Sequence, residues 1–302
     1  MVDTGGMNRM QTSWEIAKRS WAVLKSDKSL AWFPVFSFLA SLAVVGAFAG
    51  LVAGTGIDNK STGDSLAPIG YVFIALAYLA LAFVQTYFLA ALVAGADARL
   101  QGRHSTISTA VQVANSRLHR LLPWAIVSAT VTMILQAIEE RFGVVGRVVA
   151  SLAGLAWNLI TFLTIPILVI EDLGVGAALR RSKDLFKKTW GENVVGQAGL
   201  SIVGFLFMLP AIAVFAIGAS LGTAGVIVFG AIAGAWIIVV ATAMAALSGI
   251  YRTVLYRFAA TGQIPPEFAG LDLERAFQPR RDNGGNGGFG GFGGGFSGFS
   301  RN

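Results

Sequence analysis

The chain has 302 residues, 55% of them hydrophobic and 13% charged, about half the charged share of an ordinary soluble domain, which marks an integral membrane protein. Its net charge of +7 comes from Lys and Arg that flank apolar runs rather than from a basic soluble face, which argues against nucleic acid as a partner. With no Cys, disulfides, thiolate nucleophiles and Cys-ligated metals are excluded.

Met1 to Gln11 is polar, and Thr12 to Lys28 is the first amphipathic segment. Trp14, Ala17, Trp21 and Leu24 recur at helical spacing opposite Glu15, Lys18, Arg19 and Lys25. Thr12 or Ser13 suits the N-cap, with Glu15 in capping-box position. Trp14 and Trp21 are suited to anchor this helix at headgroup level, with Lys18 and Arg19 toward anionic lipid. Leu30 to Gly54 is the first span; Ala47-Phe48-Ala49 fits a signal-cleavage pattern, but the preceding segment and the apolar run are both too long for a secretory signal, so a retained helix is expected. A polar loop, Thr55 to Ala67, leads to the second span, Pro68 to Gly95.

Ser105 to Leu121 is the second amphipathic segment, with Ile107, Ala110, Val111, Ala114, Leu118 and Leu121 on its apolar stripe and Arg117, His119 and Arg120 facing away. Pro123-Trp124 opens a third apolar run to Ile138, Glu139 to Arg147 forms a short charged loop, and Val148 to Ile170 is the fourth span. The third amphipathic helix, Leu173 to Asn193, puts Val175, Leu179, Phe186 and Trp190 on one stripe, with Ala178 and Ser182 filling it. Its other face carries Arg180, Arg181, Lys183, Lys187 and Lys188. Val194 to Ala219 and Ala224 to about Leu247 are the fifth and sixth spans, each long enough at ~1.5 Å per residue for the ~30 Å hydrocarbon core. The continuation to Thr261 carries Tyr251, Arg252, Tyr256 and Arg257 into the interface, and Gly262 with Pro265-Pro266 ends the helix.

An N-terminus on the inside places 20 of the 23 Lys and Arg residues inside, which predicts six spans, a cell-membrane location and both termini cytoplasmic. Three times the chain runs amphipathic helix, short break, pair of spans, with the amphipathic helices beginning near Thr12, Thr106 and Gly174. Residues 1–268 form this membrane unit; 269–302 is a tail whose last twenty residues hold ten Gly, with Phe289, Phe292, Phe296 and Phe299 as adhesive points for a protein partner or the membrane.

Ionisable residues within spans mark chemistry in membranes, and none falls at mid-depth. Asn158 is the most central polar side chain, and Pro166 and Pro210 should break hydrogen bonds in the fourth and fifth spans. Together these three frame a candidate cavity. Small pairs such as Gly46/Gly50 and Gly218/Gly222, with Gly225, Gly230 and Gly234, permit close helix approach. No catalytic elbow, nucleotide loop, metal-ligand spacing or cofactor motif occurs.

Ser20-Trp21, Leu24-Lys25 and Phe33-Pro34, then Pro166-Ile167-Leu168, Glu171-Asp172 and Ala177 to Ser182 with Trp190-Gly191, and finally Tyr251-Arg252, Leu255-Tyr256, Gly262 and Pro265, resemble an uncharacterised six-pass membrane family from bacteria and archaea. The resemblance covers roughly residues 12 to 268 and implies a prokaryotic membrane protein. A looser similarity links the pattern to the membrane portion of glycerophosphodiester phosphodiesterases, without their catalytic domain. The expected fold is all-α and polytopic. The expected role is a non-enzymatic scaffold or accessory protein whose basic helices lie on the anionic inner leaflet, the alternative being a passive transporter or channel for a small or lipidic solute.

Overall fold

The computed structural model describes residues 28–55, 68–188 and 190–262. A 3-10 turn, Lys28–Ala31, leads into α1 (Trp32–Thr55), followed by α2 (Pro68–Leu100), α3 (Ile107–Ser116), α4 (Leu118–Thr161), α5 (Thr164–Ile170), α6 (Val175–Lys188), α7 (Trp190–Ser220) and α8 (Gly222–Thr261). The fold is all-α among these residues. Almost all of the first amphipathic segment, including Trp14, Lys18, Arg19 and Trp21, lies outside the described residues, as does the Gly/Phe tail; the side chains of Lys188 and Trp190 lie outside them too.

Five helical stretches among the described residues are long and apolar enough to cross a membrane, against the six spans expected. The difference arises because the third and fourth apolar runs and α5 form one stretch, Leu118–Ile170. The charged segment Glu139 to Arg147 still separates those runs, but as a sharp turn at Gly143, where φ is 56° and ψ −131°, with helix on either side rather than as an extended loop. A residue without Cβ takes up that backbone readily. The two arms of α4 then lie side by side, since Trp124 stacks on Trp157 with ring centroids 5.9 Å apart and Arg147 Nε donates to Glu139 Oε1 at 3.2 Å.

Pro166 explains where the fourth run breaks. Its ring clashes with the carbonyl of residue i−4, which is Phe162, and its nitrogen cannot donate back. Helix α4 is capped at Phe162, and α5 begins after Leu163. Helix α7, by contrast, runs through Pro210.

Burial divides the molecule in two. Large side chains such as Leu42, Val144, Leu152, Phe205 and Ile227 are exposed along the outer parts of the helices, as expected of surfaces that meet lipid. The buried core gathers at the opposite end, where the start of α1 (Phe33), the end of α2 (Ala90 to Leu100), both ends of α4, all of α5 and the end of α8 (Ala246 to Tyr256) meet. Gly95 makes room there: a Cβ on it would stand 2.8 Å from Leu30 Cδ2.

Helices α3 and α6 cover this inner core. Thr106 caps α3 with a capping box to Thr109, and Ala110 and Ala114 are buried as their spacing predicts. Arg117 and Arg120 do not face away, however; they turn inward, and Leu118 is exposed instead. In α6 the buried residues are Ala178, Ser182, Leu185 and Phe186, so the stripe is rotated toward Leu185. That face packs on α4, α5 and α8, so its amphipathic pattern is satisfied by protein contacts.

Candidate functional site

Acidic residues at the span ends clamp the inner core. Asp97 Oδ1 accepts from Arg257 Nε at 2.6 Å and its Oδ2 accepts from Gln101 Nε2 at 2.7 Å, which ties α2 to α8. Glu171 Oε1 accepts from Tyr256 Oη at 2.8 Å and Arg181 Nε at 3.3 Å. Asp172, at φ 53° in a left-handed conformation that Asp tolerates, meets Arg117 at 2.6 Å and Arg120 at 3.2 Å. Each carboxylate is therefore held by cations or hydroxyls of other segments, an arrangement suited to joining helices.

Above this layer lies a cavity of about 620 Å³ between α1, α2, the two arms of α4 and α8. Its volume falls within the roughly 300–1,000 Å³ of small-molecule sites. Trp124 and Trp157 form part of one wall, and Phe38, Ile237 and Ile238 line the cavity while remaining substantially exposed. Helix α8 packs on α7, α2 and α1 but scarcely on α4 across the cavity.

The lining is rich in hydroxyls and amides, yet several are already occupied. Gln85 Nε2 donates to Ser41 Oγ at 3.1 Å, Thr132 Oγ1 to the Ser128 carbonyl at 2.9 Å and Thr161 Oγ1 to the Trp157 carbonyl at 2.7 Å. Two buried lining atoms have no hydrogen-bond partner, Ser37 Oγ and Arg252 Nε. The Arg252 guanidinium lies 4.7 Å from the centroid of the Phe162 ring, a cation–π contact that offsets only part of its desolvation. Among the described residues, no carboxylate or imidazole lines the cavity.

The residues expected from the sequence divide accordingly. Asn158 lines the cavity; Pro166 is buried beside it in α5, next to the lining residue Ile165; Pro210 is exposed on α7 and takes no part in it. On α6, Arg180, Lys183 and Lys187 are exposed, whereas Arg181 turns inward to Glu171. Arg252, which the sequence carries toward the interface, also lines the cavity. A signal for it existed: Ala241, Thr242, Ala245, Ser248, Gly249 and Arg252 follow each other at helical spacing, a small and hydroxyl-bearing stripe on α8 that ends in a cation.

The model of a family described as a family of unknown function (DUF6159) matches residues 68–265. Arg252, Asn158 and the clamping acids fall within that range, whereas α1 with Ser37 precedes it. No curated protein and no solved structure matches the chain, so the similarity to glycerophosphodiester phosphodiesterases gains no support.

Proposed function

The chain belongs to the DUF6159 family of unknown function, and from that premise we propose a membrane-embedded binding protein that passively moves a small amphiphilic or lipidic solute. The observation that carries this reading is the cavity, whose lining combines exposed apolar side chains with hydroxyls, Asn158 and Arg252. A solute with one greasy and one polar part matches such a lining. In proteoliposomes loaded with a panel of fluorescent amphiphiles, we expect transbilayer movement above that of protein-free vesicles and a several-fold drop for Asn158→Leu, which replaces an amide at the wall with an apolar group. Movement no faster than in protein-free vesicles across the whole panel would remove the proposal.

The same reading takes the protein to cross the cell membrane six times, with both termini and the inner core on the cytoplasmic side. Reversal of α4 at Gly143 supports two crossings within Leu118–Thr161, and the exposed Arg180, Lys183 and Lys187 suit an anionic inner leaflet. An impermeant amine reagent applied to intact cells should therefore label Lys60 and spare Lys187. The reverse pattern would invert the topology.

A scaffold role is the second reading. It rests on the exposed basic face of α6, whose apolar face is already covered by protein. That face can attract lipid by charge but has little left to insert.

A further inference from the structure

An arginine stays charged at any physiological pH, and a buried guanidinium nitrogen without an acceptor is costly. Arg252 Nε is such a nitrogen, and Ser37 Oγ on the opposing α1 is a second unpartnered polar atom in the same cavity. No ion pair to Arg252 occurs among the described residues, although Glu171 and Asp97 hold other cations close by in the same core. The fold thus places two unpartnered donors among the residues of a cavity wall that carries no carboxylate among the described residues.

Depth points to the source of that acceptor. Counted from the outer turn at Gly222, Ile237 lies ~22 Å along α8 and Arg252 ~45 Å, at ~1.5 Å per residue. A bilayer with its headgroups is roughly 40–45 Å thick. The cavity therefore reaches from about the midplane, at Ile237 and Ile238, to the level of the inner headgroups, at Arg252. That is the extent of one leaflet. Helices α8 and α4 make few contacts across the cavity, and Phe38, Ile237 and Ile238 are substantially exposed, which offers apolar surface for a lipid-phase molecule to enter along.

We propose that Arg252 and Ser37 bind the oxyanion head, phosphate or carboxylate, of an amphiphile whose apolar part lies along Phe38, Ile237 and Ile238. This rests on reading the cavity as a solute site and adds the charge of the solute. A guanidinium offers a planar fork that matches either oxyanion, and the Ser37 hydroxyl can donate a further bond. Phe162 lies against the guanidinium and restrains it.

The full-length protein in nanodiscs of zwitterionic lipid, titrated with a dibrominated fatty acid that quenches Trp124 and Trp157, tests this directly. The acid should bind more tightly than the dibrominated fatty alcohol of equal length. Arg252→Met should weaken the acid roughly ten- to a hundredfold, the scale of a hydrogen bond to a charged group, and leave the alcohol unchanged. Arg252→Lys should retain part of the preference, and Ser37→Ala should lose a smaller part. Arg252→Met should also leave the thermal midpoint unchanged or raise it, because an unpaired buried charge is removed. A strut would behave in the opposite way.

Equal binding of acid and alcohol, or an unaltered acid affinity in Arg252→Met, overturns the inference while the cavity reading stands. A fall in thermal midpoint with loss of both ligands makes Arg252 structural and overturns it too. If neither amphiphile binds the wild-type protein, the cavity reading falls with it. Competition by inorganic phosphate alone supports the oxyanion site and shifts its source from the bilayer to solution.

Discussion

Replacing Asp97 with Ala is expected to lower the thermal midpoint of the detergent-solubilised protein by roughly 5–10 °C, the scale of a loss near 3 kcal/mol. Asp97 is buried, with its side chain 10% accessible, and its Oδ1 accepts from Arg257 Nε at 2.6 Å. Without it, Arg257 remains half-buried in a core of Ala, Leu and Tyr side chains with its acceptor gone. The penalty comes from that stranded cation more than from the attraction lost. Asp97→Ala combined with Arg257→Met should therefore be more stable than Asp97→Ala alone. Strictly additive losses in the double variant would show that the pair is not coupled.

The second large effect is expected at Gly249, where α8 crosses α2. A Cβ there would run into Leu92 Cδ2 and stand 3.0 Å from Leu92 Cγ, and Leu92 is itself 2% exposed. Gly249→Val forces Leu92 off its rotamer or the two helices apart, a cost of about 1–3 kcal/mol before any effect on the cavity that Gly249 lines. Gly50 is the control. Nothing lies within 4 Å of a Cβ there, so Gly50→Ala should be neutral or stabilising by up to ~1 kcal/mol through helix propensity. Chemical unfolding of the two variants side by side separates the cases. Equal midpoints would mean that the α2–α8 contact is looser than the structure has it.

Glycine shows why sequence spacing stopped short. Gly46, Gly50 and Gly234 stand in open space, whereas a Cβ on Gly218, which its small-residue pair marks, would run into Phe229 of α8, and Gly95 and Gly249, which no such pair marks, would meet Leu30 and Leu92. A spacing of four says that two glycines share a helix face; it carries nothing about which face meets another helix. The basic residues behave alike. Arg180 and Arg181 are neighbours, yet one is exposed and the other is held by Glu171, because 100° of helical rotation separates lipid-side water from the core.

Apolar length by itself determined that the described residues are all-helical with stretches long and apolar enough to cross a membrane, and the helix stop at Gly262 and a helix start near Thr106 were legible in the local sequence. Tertiary structure alone decided that the reversal between the third and fourth runs is made at the single residue Gly143, that the acids at span ends join helices, and that Arg252 lines a cavity. Hydrophobicity and capping are properties of a residue and its near neighbours, whereas a buried charge and an empty space are properties of helices brought together from far apart in the chain.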